Sequence, residues 1–96
     1  MTGVRLYWAR NDGMSGHVFL SPIELSELKR EMEAQGMGGW LSVDRFVPGA
    51  RIPPGQIDLA LTKASPQART LDDAKLWSDW LVFLRGAVEN GGLKVQ

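Results

Sequence analysis

The order of apolar and polar positions predicts a β-hairpin at the start of the chain. Residues 4–10 alternate apolar with more polar side chains, the period-two pattern of a strand with one buried face. Residues 17–21 predict a second strand. The connection between them contains Asp-Gly, a turn signal, and such a short connection favours antiparallel pairing over a crossover.

A helix is predicted over residues 22–35 because both of its ends carry capping signals. Ser21, Pro22 and Glu24 form a capping box with proline at the first helical position. Gly36 stands where a left-handed C-cap is expected. The apolar stripe of this helix is narrow and consists of Leu25, Leu28 and Met32. We expect the remaining surface to be solvated, with the charged residues Glu24, Glu27, Lys29, Arg30, Glu31 and Glu33.

The middle of the chain is predicted to form two strands joined by a proline-rich loop. Residues 40–47 alternate after a glycine-rich break, although large apolar side chains fall on both faces of that strand. Residues 48–56, called the proline loop below, contain three prolines. Because proline lacks an amide donor and favours extended neighbours, this segment is expected to be a loop and not a helix. Residues 57–62 resume the alternation and predict a fourth strand.

The longest helix is predicted over residues 70–90. Thr70 and Asp73 indicate a second capping box, and the Gly-Gly at 91–92 closes the helix. Its apolar positions cover an arc of about 160°, which is wide for a helix that lies on a sheet. Residues 93–95 predict a short last strand. The wide arc suggests that this helix needs more cover than a small sheet provides.

These elements predict a single α+β domain spanning residues 1–96. The expected order is β-β-α-β-β-α, with an optional final β, and the sheet is small, antiparallel or mixed, with four to five strands and two helices. The helix at 70–90 is expected to cover the apolar face of the sheet, and the helix at 22–35 to flank it.

Composition narrows the class of protein without naming a function. Eleven basic and eleven acidic side chains cancel, so no global field favours nucleic acid or an anionic membrane, and neither is expected as a partner. The absence of cysteine excludes disulfides and thiolate metal sites. Because there is no apolar signal-peptide region and no long apolar run, a cytoplasmic protein is expected. Zero net charge also favours self-association, so a homodimer is expected.

The tryptophan pair Trp77 and Trp80 poses the main functional question. Two indole rings bury about 150 to 250 Å² each, so most of this area must be covered. Either both rings fill the core, or one lies at the rim of the sheet and anchors a protein partner or a second subunit. The partner hypothesis also includes neighbouring apolar positions and the proline loop. Its residues are Trp77, Trp80, Val82, Phe83, Arg51 and Ile52.

A second hypothesis concerns polar side chains of the predicted hairpin. Arg5, Tyr7 and His17 are expected on the outer face of the sheet. There they form either a solvated surface or a site for an anionic or acyl ligand, with His17 as a base. His17 is the only histidine, and no serine or glycine-rich segment lies in a nucleophile-elbow or phosphate-loop motif. No catalytic residue, metal site or cofactor is therefore predicted.

Two function classes follow from the sequence. The first is a small non-catalytic interaction or regulatory module that acts through the apolar face of the helix at 70–90 and the proline loop. The alternative is a small-ligand-binding protein or minor enzyme that uses Arg5, Tyr7 and His17. They differ in whether the apolar arc is covered from outside the chain.

Overall fold

A computed structural model of the chain describes residues 3–10 and 16–96. Its strands are β1 (Val4–Trp8), β2 (His17–Leu20), β3 (Arg51–Ile52) and β4 (Leu93–Val95), and its helices are α1 (Pro22–Ala34), α2 (Pro54–Leu61) and α3 (Ala74–Glu89). The strands form one antiparallel sheet in the order β2-β1-β4-β3. The predicted α+β class is confirmed.

The hairpin and the last strand agree with the prediction. β1 pairs antiparallel with β2, with Leu6 opposite Val18. β4 joins the other side of β1 and separates it from β3. The predicted turn at Asp12 and Gly13 lies outside the described residues. The amino-terminal and carboxy-terminal strands are therefore neighbours at the centre of the sheet.

The ends of α1 are those that its capping signals predict. The Ser21 side chain accepts from the Glu24 amide, and the Glu24 side chain accepts from the Ser21 amide. Gly36 follows the end of the helix and has a φ of +81°. Glycine suits this position because an L-residue with a side chain would be strained there. The predicted apolar stripe is buried, at Leu25, Leu28 and Met32.

α3 begins four residues later than predicted. Asp73 is its N-cap and accepts from the Leu76 amide. The prediction of a capping box between Thr70 and Asp73 is wrong. Both the amide and the hydroxyl of Thr70 donate instead to the Glu31 carboxylate on α1. The end is as expected, since Gly91 and Gly92 both have positive φ. No helix in the described part of the chain is long and apolar enough to cross a membrane.

The strand predicted over 40–47 is wrong. This segment contains a 3-10 helix, Val43–Arg45, whose N-cap Ser42 accepts from the Asp44 amide. Leu41 and Phe46 are buried while Trp40 is exposed. Local turns bury Leu41 and Phe46, which are five positions apart, so the alternating pattern does not reflect a strand. The apolar residues on both faces of the pattern already disagreed with a strand that has one buried face.

The loop at 48–56 and the strand at 57–62 are also corrected. The proline loop contains β3, which pairs with β4, and its last prolines begin α2. Pro54 is compatible with the first helical turn because no amide donor is needed there. Ile57 and Ala60 face the core, three positions apart as a helix requires. The run was too short for its alternation to distinguish strand from helix.

α2 supplies the additional cover that the apolar arc of α3 requires. Trp77 is fully buried and Trp80 is 2% exposed. All three indoles outside the 40–47 segment have hydrogen-bond acceptors. Trp77 Nε1 donates to the Ser65 carbonyl at 2.9 Å, Trp80 Nε1 to Met32 Sδ at 3.3 Å and Trp8 Nε1 to the Phe83 carbonyl at 3.0 Å. The buried apolar residues form one continuous core, enclosed by the chain itself.

A buried carboxylate connects α1 with the segment before α3. Glu31 is fully buried, which contradicts its expected place on the solvated side of α1. Its Oε1 accepts from the amides of Thr70 and Leu71 at 2.6 and 2.9 Å and from the Thr70 hydroxyl at 2.9 Å. Its Oε2 accepts from the Arg69 amide at 2.7 Å and from Gln35 Nε2 at 2.8 Å. Glu31 therefore fixes the approach to α3.

Candidate functional site

In the described part of the chain, the side of the sheet opposite the core carries exposed and half-buried side chains and forms the candidate site. Successive side chains of a strand point to opposite faces, so the burial of Leu6, Ile52 and Leu93 assigns their neighbours to the other side. We call this side the open face. Its residues are Arg5, Tyr7, His17, Phe19, Arg51 and Lys94. The structure thus brings together the three residues of the second hypothesis, Arg5, Tyr7 and His17.

The strand register arranges these side chains in two rows. Tyr7 lies opposite His17 on one side and Lys94 on the other, and Lys94 lies opposite Arg51. This row crosses all four strands and spans about 14 Å at the usual strand spacing. In the second row, Arg5 lies opposite Phe19. The open face is therefore wide enough for a short extended segment to cross it.

Contacts within the open face hold its rings in place. The Arg5 guanidinium lies 5.5 Å from the centre of the Phe19 ring, within cation–π range. The rings of Tyr7 and His17 are 5.9 Å apart. The Tyr7 hydroxyl donates to Gln96 Oε1 at 3.0 Å. Phe19 nevertheless remains 54% exposed, so an apolar ring is available to a partner.

The open face concentrates positive charge on a chain with no net charge. Arg5, Arg51 and Lys94 are basic residues, and none of the six side chains that form the face is acidic. The ion pairs found within 3–10 and 16–96 lie elsewhere, between Lys29 and Asp44 and between Lys75 and Asp79. Among the described residues, neither of these ion pairs involves a cation of the open face.

A cleft of about 560 Å³ adjoins the open face at Arg5, between α1 and the 3-10 helix. Its apolar lining includes Val4, Leu25, Val43 and Phe46. Lys29 and Asp44 also line the cleft, and the Lys29 ammonium donates to Asp44 Oδ1 at 3.0 Å. The hydrogen bond to Asp44 and the attraction of its charge raise the pKa of Lys29. The cleft is therefore lined by apolar and charged side chains together.

The residues of the partner hypothesis divide into two groups. Trp77, Trp80, Phe83 and Ile52 are buried in the core, so their side chains are not accessible to a partner in this fold. Ile52 is buried because it lies on a strand and not in a loop. Arg51 is on the open face, and Val82 is 61% exposed on α3. The wide apolar arc therefore gives no support to an external partner.

The pKa of the Glu31 carboxyl is strongly lowered. Burial alone would raise the pKa of its carboxyl, but the hydrogen bonds from Arg69, Thr70 and Gln35 outweigh burial and lower it from 4.5 to about 2. Perturbed carboxyls often mark active sites. Here both oxygens are occupied by donors of the chain itself, which assigns Glu31 a structural role.

Local sequence patterns could place some residues of the open face but not others. Lys94 stands between the buried Leu93 and Val95, and this alternation could have placed it beside Tyr7 once β4 was recognised as a central strand. Arg51 was predicted to be exposed, but in a loop. Its position opposite Lys94 depends on pairing between segments more than 40 residues apart, which no local pattern reveals.

Comparison with known proteins adds no family and no structural relative. No protein-family model, no curated protein and no solved structure matches the chain. Within the described ranges, no group of three or more histidine, aspartate and glutamate side chains could hold a metal ion. The open face and the adjoining cleft are therefore the features from which a function can be proposed.

Proposed function

We propose that the chain is a small non-catalytic interaction module that binds a carboxylate-rich segment of a protein partner across its open face. The observation that carries this proposal is the row His17, Tyr7, Lys94 and Arg51, which crosses the sheet without an acidic side chain. The proposed surface replaces the apolar arc of α3, whose side chains are buried.

The pairing of Lys94 with Arg51 supports a binding role. Like charges directly opposite one another in a sheet destabilise it, so fold stability does not explain why two cations occupy these positions. An anionic partner would relieve the repulsion. Arginine is suited to this because its guanidinium binds a carboxylate through two parallel hydrogen bonds.

The aromatic rings add area that charge alone does not provide. Exposed ion pairs contribute about 0 to 1 kcal/mol each, so three cations would hold a partner only weakly. Phe19 and Tyr7 contribute apolar surface beside Arg5 and Lys94, which suits a segment in which acidic and apolar side chains alternate. Such a segment would place its carboxylates over one row and its apolar groups over the rings.

Charge magnitude favours a protein segment over a nucleic acid. Three cations neutralise at most three phosphates. For a single strand, each neutralised phosphate adds about 0.7 to the slope with which the logarithm of the binding constant falls against the logarithm of the salt concentration. The zero net charge of the chain supplies no wider field to retain a polyanion. A peptide needs only two or three carboxylates to match the same face.

A titration of the isotope-labelled chain with an unlabelled peptide tests the proposal. The probe is a short unstructured peptide in which glutamates alternate with apolar residues, and binding is followed by NMR on the full chain. We expect shifts at Arg5, Tyr7 and Lys94, with a Kd on the order of micromolar to millimolar. Absence of shifts at the open face, or tighter binding of a single-stranded oligonucleotide of similar length, would overturn the proposal.

Charge reversal at Lys94 separates binding from folding. Lys94→Glu places a carboxylate opposite Arg51, so we expect stability to be unchanged or to rise by about 0.2 to 1 kcal/mol. Peptide binding should fall by roughly tenfold or more. Lys63→Glu is the matched control, because Lys63 is exposed and lies outside the open face. Equal losses in both variants would contradict a specific site.

The cleft beside Arg5 supports a second candidate, the binding of a small amphipathic anion. Its volume of about 560 Å³ lies within the range of roughly 300 to 1,000 Å³ typical of ligand sites. Val43 and Phe46 line it, and Arg5 lies at its junction with the open face. Titration with medium-chain fatty acids should shift the amides of Val43 and Phe46, and unchanged amides there would reject this candidate.

A further inference from the structure

The two edges of the sheet differ in how they are protected. β3 has only two residues and is followed by Pro53 and Pro54, features that discourage pairing with another strand. β2 forms the opposite edge and pairs only with β1 within the described sheet. Its sequence, His-Val-Phe-Leu, contains no proline, lysine, arginine or acidic residue. β2 is therefore the edge at which another strand can pair.

The hydrogen-bond pattern of the hairpin shows which β2 groups face outward. The Trp8 amide donates to the Gly16 carbonyl at 2.8 Å. Because bonded and non-bonded pairs alternate in an antiparallel ladder, Val18 and Leu20 direct their backbone groups toward β1. The amides and carbonyls of His17 and Phe19 consequently point toward the outer edge.

The exposed stripe of α3 is complementary to itself. Six exposed residues lie on one side of this helix: Val82, Ser78 and four charged residues, Lys75, Asp79, Arg85 and Glu89, which stand at positions −7, −3, +3 and +7 relative to Val82. At 100° per residue all lie within about 60° of Val82. Reversing the helix about Val82 places Asp79 opposite Arg85 and Lys75 opposite Glu89, so each charge meets its opposite.

Both features border a single groove. Val18 of β2 and Val82 of α3 line this groove together with Trp8 and Phe83. One two-fold axis can therefore pass beside both valines. A symmetric contact about such an axis uses the same surface on both copies.

We propose that this surface binds a second copy of the chain in a two-fold symmetric dimer. The β2 strands pair antiparallel about Val18, and the α3 helices lie antiparallel about Val82, which extends the sheet to eight strands. This register places His17 of each copy opposite Phe19 of the other, and their outward backbone groups form four hydrogen bonds. Val18 meets Val18, and Val82 meets Val82.

The proposed dimer is independent of the function proposed for the open face. The open face lies on the side of the sheet away from α3, so dimerisation leaves it accessible and sets two such faces side by side. A partner with two acidic segments would then bind with higher effective affinity than a partner with one. Loss of peptide binding and loss of the dimer are separate outcomes.

Sedimentation equilibrium of the full chain tests the dimer. We expect a concentration-dependent dimer with a Kd on the order of 10 to 100 μM. Val82→Glu should raise this Kd by roughly tenfold or more, because it places two like charges at the axis. Leu59→Glu is the control, since Leu59 is a similarly exposed aliphatic residue on α2. A monomer at about 1 mM, or equal effects of the two variants, overturns the proposal.

A charge exchange tests the arrangement of the helices. Asp79→Arg and Arg85→Asp should each weaken the dimer, because each creates a like-charge contact across the axis. The double variant should restore the affinity. Residues six apart do not face each other on one helix, so the rescue has no explanation within a single chain. Failure of the double variant to recover affinity would reject the antiparallel helix contact.

Discussion

Gly86 is the position at which α3 comes closest to the ring of Trp8. A Cβ atom at this position would overlap the benzene edge of that indole. The Trp8 Nε1 bond to the Phe83 carbonyl fixes the ring on the surface of α3. A glycine inside a helix costs about 1 kcal/mol relative to alanine, but at this position it leaves room for the Trp8 ring.

Gly86→Ala should destabilise the chain although alanine is the better helix former. We expect overpacking to cost about 1 to 3 kcal/mol and to exceed the gain in helix propensity. Urea denaturation followed by far-ultraviolet circular dichroism measures the change. Gly55→Ala is the matched control, since a Cβ at this helical glycine meets no atom within 4 Å. The Gly55 variant should be neutral or more stable. A Gly86 variant as stable as the wild type would contradict the packing of Trp8.

Among the elements, α2 decides whether α3 is enclosed. It lies where the sequence alternates as a strand would, yet it buries Ile57 and Ala60 against α3 and leaves Leu59 46% exposed. In a strand with one buried face, Ile57 and Leu59 would be buried together. The two arrangements therefore assign opposite environments to Leu59.

Alanine substitution at these two positions distinguishes a helix from a strand. Ile57→Ala removes a fully buried side chain and should cost about 2 to 5 kcal/mol, because it leaves a cavity in the core. Leu59→Ala should change stability by less than about 0.5 kcal/mol. Chemical denaturation of both variants gives the comparison. Comparable losses at the two positions would show that residues 57–62 bury one strand face.

Local signals predicted the elements that carry their own boundaries. The capping box at Ser21, the glycine at position 36 and the Gly-Gly after α3 act within a few residues, and the sequence located them. β3 consists of two residues whose pairing depends on β4, and α2 begins at prolines that also favour a loop. These elements are determined by tertiary contacts, which a short alternating pattern does not contain.

The candidate site shows the same division. Alternation along β1 placed Arg5 and Tyr7 on the outer face with His17, and the structure brings these three residues together. Lys94 and Arg51 complete the open face through β4, which inserts beside β1 from the other end of the chain. The composition of the site therefore depends on the topology of the sheet more than on any motif.

At the scale of the whole molecule, Glu31 joins two halves of the sequence. Its hydrogen-bond donors lie on a segment almost 40 residues away, at positions 69 to 71. The backbone amides of this segment donate to the Glu31 carboxylate and not to a helix, and α3 begins after its N-cap Asp73. An ionised Glu31 thus holds α1 against the segment from which α3 begins.

The protonation of Glu31 should make the stability of the whole chain depend on pH. Its pKa is lowered from 4.5 to about 2 in the folded state, so the folded chain binds fewer protons than the unfolded chain between these values. Stability from this group is present above pH 4.5 and is lost as pH falls toward 2. The shift corresponds to about 3 kcal/mol at neutral pH.

Glu31→Gln should remove this contribution. At pH 7 we expect the free energy of unfolding to fall by about 3 kcal/mol. The reason is that the glutamine amide has one acceptor oxygen, whereas the donors around Glu31 bind two carboxylate oxygens. Glu33→Gln is the control, since Glu33 lies exposed on the same helix and should change stability by less than about 0.5 kcal/mol. Urea denaturation at a series of pH values measures both variants. The difference between wild type and Glu31→Gln should narrow as pH falls from 4.5 to 2, and a constant difference would show that the charge of Glu31 does not stabilise the fold.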